Sequence, residues 1–86
     1  MSVLQEQSQW LRGREFAAFL ESKNVTDIEL PNRQTDRISH WRKGRAVSIW
    51  KADAVLTQLG YNFSMLPDSV WYPVDWEPSH GYRNDA

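Results

Sequence analysis

Eighty-six residues, 41% hydrophobic and with a formal net charge of −1, allow one domain with one modest core. The absence of cysteine excludes a disulfide-stapled scaffold and fits a reducing compartment. No stretch approaches the length of a membrane span, and residues 1–10 lack the basic-then-apolar succession of a secretion signal, so a cytoplasmic protein is expected.

Val3, Leu4, Trp10 and Leu11 recur at helical spacing and predict an amphipathic helix over residues 3–12. Gly13 weakens that helix or separates it from the next. Residues 14–23 predict a second helix, with Phe16, Phe19 and Leu20 on one face and Asn24 as its stop. Thr26 can cap a short helix through Leu30, and Pro31 follows. Thr35 is the next good cap, with Asp36 in a favourable first turn. Residues 36–43 then read as a helix with Ile38 and Trp41 inward and Gly44 ending it in a left-handed conformation. Ser48 caps a helix over residues 49–59, striped by Ile49, Ala52, Val55, Leu56 and Leu59 and ended by Gly60. Trp41 and Trp50 both read as core. Beyond Gly60, the prolines at 67, 73 and 78 predict an extended aromatic arm with one short turn near residues 68–71. Val70 and Trp71 are expected to fold back on the core, and residues 79–86 to be disordered.

The charge is segregated along the chain. Residues 33–66 carry Arg33, Arg37, Arg42, Lys43, Arg45 and Lys51 against Asp36 and Asp53 alone, while both flanks are acidic. Such a block suits an anion-binding face. A helix entering a DNA major groove needs a few side chains for base edges and others for phosphates. Arg37 is the base-reading candidate, because its planar fork can pair with a guanine edge. Thr35, Ser39 and His40 add polar contacts, and Lys43 and Arg45 suit phosphate anchoring. Arg33, Gln34 and Arg42 complete the expected DNA-facing set. No enzyme signature accompanies them: Asp75 and Glu77 are close in sequence but lack a base or a phosphate loop. His40 has no i+4 ligand partner, so neither a metal nor a cofactor is expected.

The run from Arg37 through Ile38, Trp41, Lys43 and Gly44 to Arg45, followed by a Ser48-capped helix ending in Leu59, Gly60 and Tyr61, resembles the helix-turn-helix core of lambda-repressor and Cro-like DNA-binding proteins. The spacing of Ser48, Ala52, Asp53, Leu56, Leu59 and Gly60 is similar to that in small helix-turn-helix proteins of actinobacterial phages and their hosts. The resemblance covers residues 14–61. It implies an all-α fold, a small bundle of four to five short helices carrying an extended aromatic C-terminal arm. Residues 1–66 would form the DNA-binding domain and residues 67–86 the acidic, Pro- and Trp-rich arm. Residues 36–43 would be the recognition helix, and the protein a transcriptional regulator of repressor or Cro type. Counting back from Ile38 places Ile28 and Asn32 where that family has a small residue and a glycine. Two geometries therefore stay open: a short turn before Pro31, which we favour, or a longer helix from Pro31 to Lys43.

One recognition helix spans few base pairs, so a homodimer on a two-fold site is expected. Trp71, Tyr72 and Trp76, aromatic anchors with acidic neighbours, are candidates for a dimer or partner interface. The alternatives are a protein-interaction module that keeps this shape and engages a host or partner protein through the arm, or a recombination directionality factor that bends DNA.

Overall fold

The computed structural model describes residues 8–32 and 34–78. It is small and mostly helical, with three α-helices and a short two-stranded sheet. The sheet corrects the expectation of an all-α bundle. Strand β1 (Trp10–Leu11) pairs antiparallel with β2 (Val47–Ser48), Trp10 opposite Ser48 and Leu11 opposite Val47. On its other side Leu11 bridges to Trp71, the Arg12 N–H donates to the Val70 carbonyl at 2.6 Å, and the Tyr72 N–H donates to the Trp10 carbonyl at 3.1 Å. Residues 10–12 are therefore extended, not helical as predicted; residues 3–7 of that expected helix lie outside the described residues. Pairing on two sides satisfies the backbone here, and tertiary context outweighs local propensity. Leu11, Val47 and Val70 meet at this junction, each fully buried.

Helix α1 (Gly13–Ser22) buries Phe16, Ala17, Phe19 and Leu20, and Asn24 at φ 62° turns the chain away as expected. Gly13 is the first residue of this helix and, as expected, stands between it and the segment before. A Cβ there would stand 2.0 Å from the Arg45 carbonyl oxygen and 2.6 Å from that of Trp41. The glycine lets the start of α1 press against the chain that ends the next helix.

Of the two geometries around Pro31, the structure has the short turn. Thr26 and Glu29 form a capping box around a 3-10 turn, Asp27–Glu29, and Leu30 drops into the core. Asn32 then accepts the N–H groups of Thr35 and Asp36. Helix α2 (Ile38–Arg42) is five residues long and starts two residues later than predicted. Thr35 is not its cap. The Asp27 carboxylate accepts the Ile38 N–H at 2.8 Å instead. Asp36, expected in the first turn, is buried to 4% exposure and accepts Lys51 Nζ at 2.6 Å.

Helix α3 (Ile49–Leu59) matches its predicted bounds. The Ser48 side chain accepts the Lys51 N–H, and Gly60 closes the helix at φ 84°. Ala52, Val55 and Leu56 are buried, but Trp50 is 77% exposed, contrary to its expected place in the core. It lies one residue, about 100° of helix, off the Ile49 and Ala52 stripe. Beyond Gly60 come two 3-10 turns, Phe63–Met65 and Asp68–Val70, the second where a turn was predicted.

The core joins these pieces through aromatic edges. Phe16 meets Trp41 at 5.2 Å between ring centroids, and Phe19 meets Tyr61 at 5.5 Å. Among the described residues no helix is long and apolar enough to cross a membrane.

Candidate nucleic-acid interface

Ile38 and Trp41 are buried, which fixes the rotation of α2 about its axis. Ser39, His40 and Lys43 consequently fall on the side away from the core; the first two are half-buried by neighbouring chain and Lys43 is exposed. Among the described residues no hydrogen bond or ion pair engages the side chains of Gln34, Ser39, His40 or Lys43.

Arg37 caps the N-terminal end of α2 in an extended conformation, half-buried, and its Nη1 donates to the Asp36 carbonyl at 3.1 Å. Gln34 and Thr35 precede it and are exposed. Thr35 Oγ1 donates to the buried Asp36 carboxylate at 3.3 Å, so its hydroxyl is partly committed to the fold. Arg33 lies outside the described residues.

Arg42 takes a different direction from the rest of the basic block. Its Nε and Nη2 donate to Glu21 Oε2 on α1 at 2.9 and 2.6 Å, so its charge is locally balanced. Both side chains are about half exposed, which limits this pair to roughly 0–1 kcal/mol. Arg45 is half-buried, with Nε shielded and unbonded among the described residues. The carbonyl end of α2 gains a cation that the sequence reading did not include. Arg14, on the first turn of α1, lies over Gly44, where a Cβ would stand 3.6 Å from Arg14 Nε. Arg14 belongs to a third of the chain that is acidic in net charge, and the contact of α1 with α2 brings it to Gly44, between Lys43 and Arg45 in sequence.

The candidate interface residues of the arm pack on their own domain. Trp71 bridges to Leu11 and lies 5.6 Å from the Phe63 ring. Tyr72 stacks on Trp76 at 3.6 Å with the rings nearly parallel, and Trp76 sets its edge against Trp10 at 6.3 Å. The Arg12 guanidinium sits 4.5 Å over the Tyr72 ring while its Nε donates to the Ser69 carbonyl. All three aromatic residues remain half-exposed. Among the described residues no group of three or more His, Asp or Glu side chains could hold a metal ion.

No protein-family model, curated protein or solved structure matches the chain.

Proposed function

We propose that this protein binds duplex DNA through α2 and the turn before it, and regulates transcription in the manner of the lambda-repressor and Cro-like proteins its sequence resembles. The observation that carries this reading is a short helix anchored by Ile38 and Trp41 whose outer side holds Ser39, His40 and Lys43, with Gln34 and Arg37 at its N-terminal end. In helix-turn-helix recognition the N-terminal residues of the inserted helix meet base edges. Arg37 is thus assigned to a guanine edge, and Gln34 to a neighbouring base. Lys43, Arg45 and Arg14 at the far end anchor phosphates, which position the helix without reading sequence. Two copies on half-sites about 34 Å apart would supply the length of sequence that one helix cannot.

The test is an electrophoretic shift on a pool of random duplexes, at about 50 and 200 mM salt. Parent protein should retain DNA in a salt-sensitive way and enrich a two-fold sequence. Arg37→Ala should weaken the enriched site by about 1–3 kcal/mol and relax its base preference, whereas Lys43→Ala should weaken all sequences alike and flatten the salt slope. An Arg37→Ala variant with unchanged affinity for every duplex would sink the assignment.

Trp50 favours a second reading, recognition of a protein partner. A tryptophan 77% exposed at the start of α3 is the kind of residue that anchors protein interfaces. Capture of a partner lost in Trp50→Ala, without any DNA retention by the parent, would select this reading over the first.

A further inference from the structure

Ile28 is 64% exposed, although Val25 and Leu30 in the same short segment are buried. It is held in place, because the Thr26 and Glu29 capping box fixes the turn that carries it. It lines one open, shallow depression together with Asp27, Gln34 and Arg37. Asp27 is tied there by its bond to the Ile38 N–H. The depression therefore sets an aliphatic wall beside an amide and a guanidinium, at the end of α2 assigned to base reading. A carboxylate at its rim disfavours phosphate. A thymine beside the base that Arg37 or Gln34 reads has the matching chemistry for that wall, a methyl group next to an acceptor at its major-groove edge.

We propose that Ile28 is a specificity-determining residue that packs on the C5-methyl group of a thymine, next to the base read by Gln34 or Arg37. This rests on the DNA-binding reading above and extends it to the 3-10 turn, a segment outside the basic block of the chain. Arg37 and Gln34 supply directional hydrogen bonds, and Ile28 adds an apolar contact that excludes water from beside them.

The experiment uses the full chain and the duplex enriched from the random pool. Each thymine of that duplex is replaced in turn by uracil, which deletes the methyl group and keeps every hydrogen-bonding atom. Parent protein should lose about four-fold in affinity at one thymine per half-site, the worth of one buried methyl. Ile28→Ala should bind the thymine and uracil duplexes equally at that position, while Arg37→Ala should keep the thymine preference there. The uracil substitution leaves the protein untouched, so misfolding cannot imitate the effect, and a thermal melt of Ile28→Ala checks that variant. Equal binding of all uracil duplexes by the parent overturns the proposal, as does a thymine preference that survives in Ile28→Ala; in both cases DNA binding itself still stands. Failure of the parent to enrich any duplex overturns the DNA-binding reading, and this inference with it.

Discussion

Replacing Gly13 by alanine should cost far more than a glycine at the first position of a helix would ordinarily suggest. The added Cβ would lie 2.0 Å from the Arg45 carbonyl oxygen, 2.6 Å from the Trp41 carbonyl oxygen and 3.0 Å from the Arg45 carbonyl carbon. All three atoms are backbone, so no side-chain rotation relieves the contact. Helix α1 would have to retreat by roughly 1 Å or more from the end of α2 to restore van der Waals separation. Overpacking of this kind costs about 1–3 kcal/mol, and a clash with main chain belongs at the upper end. Gly13 is not among the positive-φ glycines, so alanine meets no backbone strain there and regains up to about 1 kcal/mol of helix preference. The net loss is about 2 kcal/mol, which for a domain of this size lowers the melting temperature by roughly 8–16 °C. Thermal unfolding followed by far-ultraviolet circular dichroism, which reports helix content, measures it. Gly60 provides the contrast: its φ is 84° and a Cβ there meets nothing, so Gly60→Ala loses about 1–2 kcal/mol to conformation alone and Gly60→Asn recovers part of it. Asparagine at 13 should recover nothing. A Gly13→Ala protein that melts with or above the parent would refute the close approach of α1 to α2.

Lys51→Met leaves the buried Asp36 carboxylate with only the Thr35 hydroxyl among the described side chains and should cost about 1–3 kcal/mol in urea unfolding, with the double variant Asp36→Asn, Lys51→Met recovering part of the loss. Val70→Ala opens a cavity beside Leu11 and Val47 and should cost about 2 kcal/mol, with a loss of near-ultraviolet dichroism from the neighbouring Trp71; unchanged stability would mean that the arm is not part of the core. Glu21→Ala releases Arg42 from its exposed pair, so stability should change by less than about 1 kcal/mol. If the DNA-binding reading holds, the same variant binds DNA more tightly, with a salt slope steeper by about one phosphate contact.

The bounds of helix α3 were legible because each of its signals is local: a serine cap, an apolar stripe at helical spacing and a glycine stop. The 3-10 turn at Asp27–Glu29 was legible for the same reason, through Thr26. Trp50 was misplaced for a local reason, its offset from the α3 stripe; the other errors occur where a distant residue decides. Trp10 and Leu11 have a spacing compatible with helix, but their backbone partners are at positions 47, 48 and 71. Thr35 is a good cap by type, yet Asp27, eleven residues before Ile38, reaches the α2 terminus, and Lys51 draws Asp36 into the interior. Gly13 reads correctly as a separator, but the close approach it permits was not legible, because the carbonyls that exclude a side chain belong to residues 41 and 45. The same limit applies to the candidate site. The buried positions Ile38 and Trp41 follow from periodicity, whereas the turning of Arg42 toward Glu21 and the arrival of Arg14 at Gly44 do not.

A five-residue helix cannot sustain itself in water, since its nucleation cost exceeds what one or two internal hydrogen bonds return. The candidate interface therefore exists only through ties to other elements. Asp27 holds the N-terminal end of α2, Phe16 packs on Trp41 along its inner side, and Gly13 admits α1 at its C-terminal end. The preceding turn is tied to α3 through Asp36 and Lys51. None of these partners is adjacent in sequence, and α1 is itself continuous with the strand that Trp71 covers. Opening α2 alone would break ties to most of the domain, so the surface should be lost in one step with the fold and not by local fraying. A ligand bound there should consequently stabilise the whole molecule, raising the melting temperature in proportion to the logarithm of ligand concentration above its dissociation constant. By the same coupling, a loss of packing at Val70 should weaken the surface around Arg37 together with the fold.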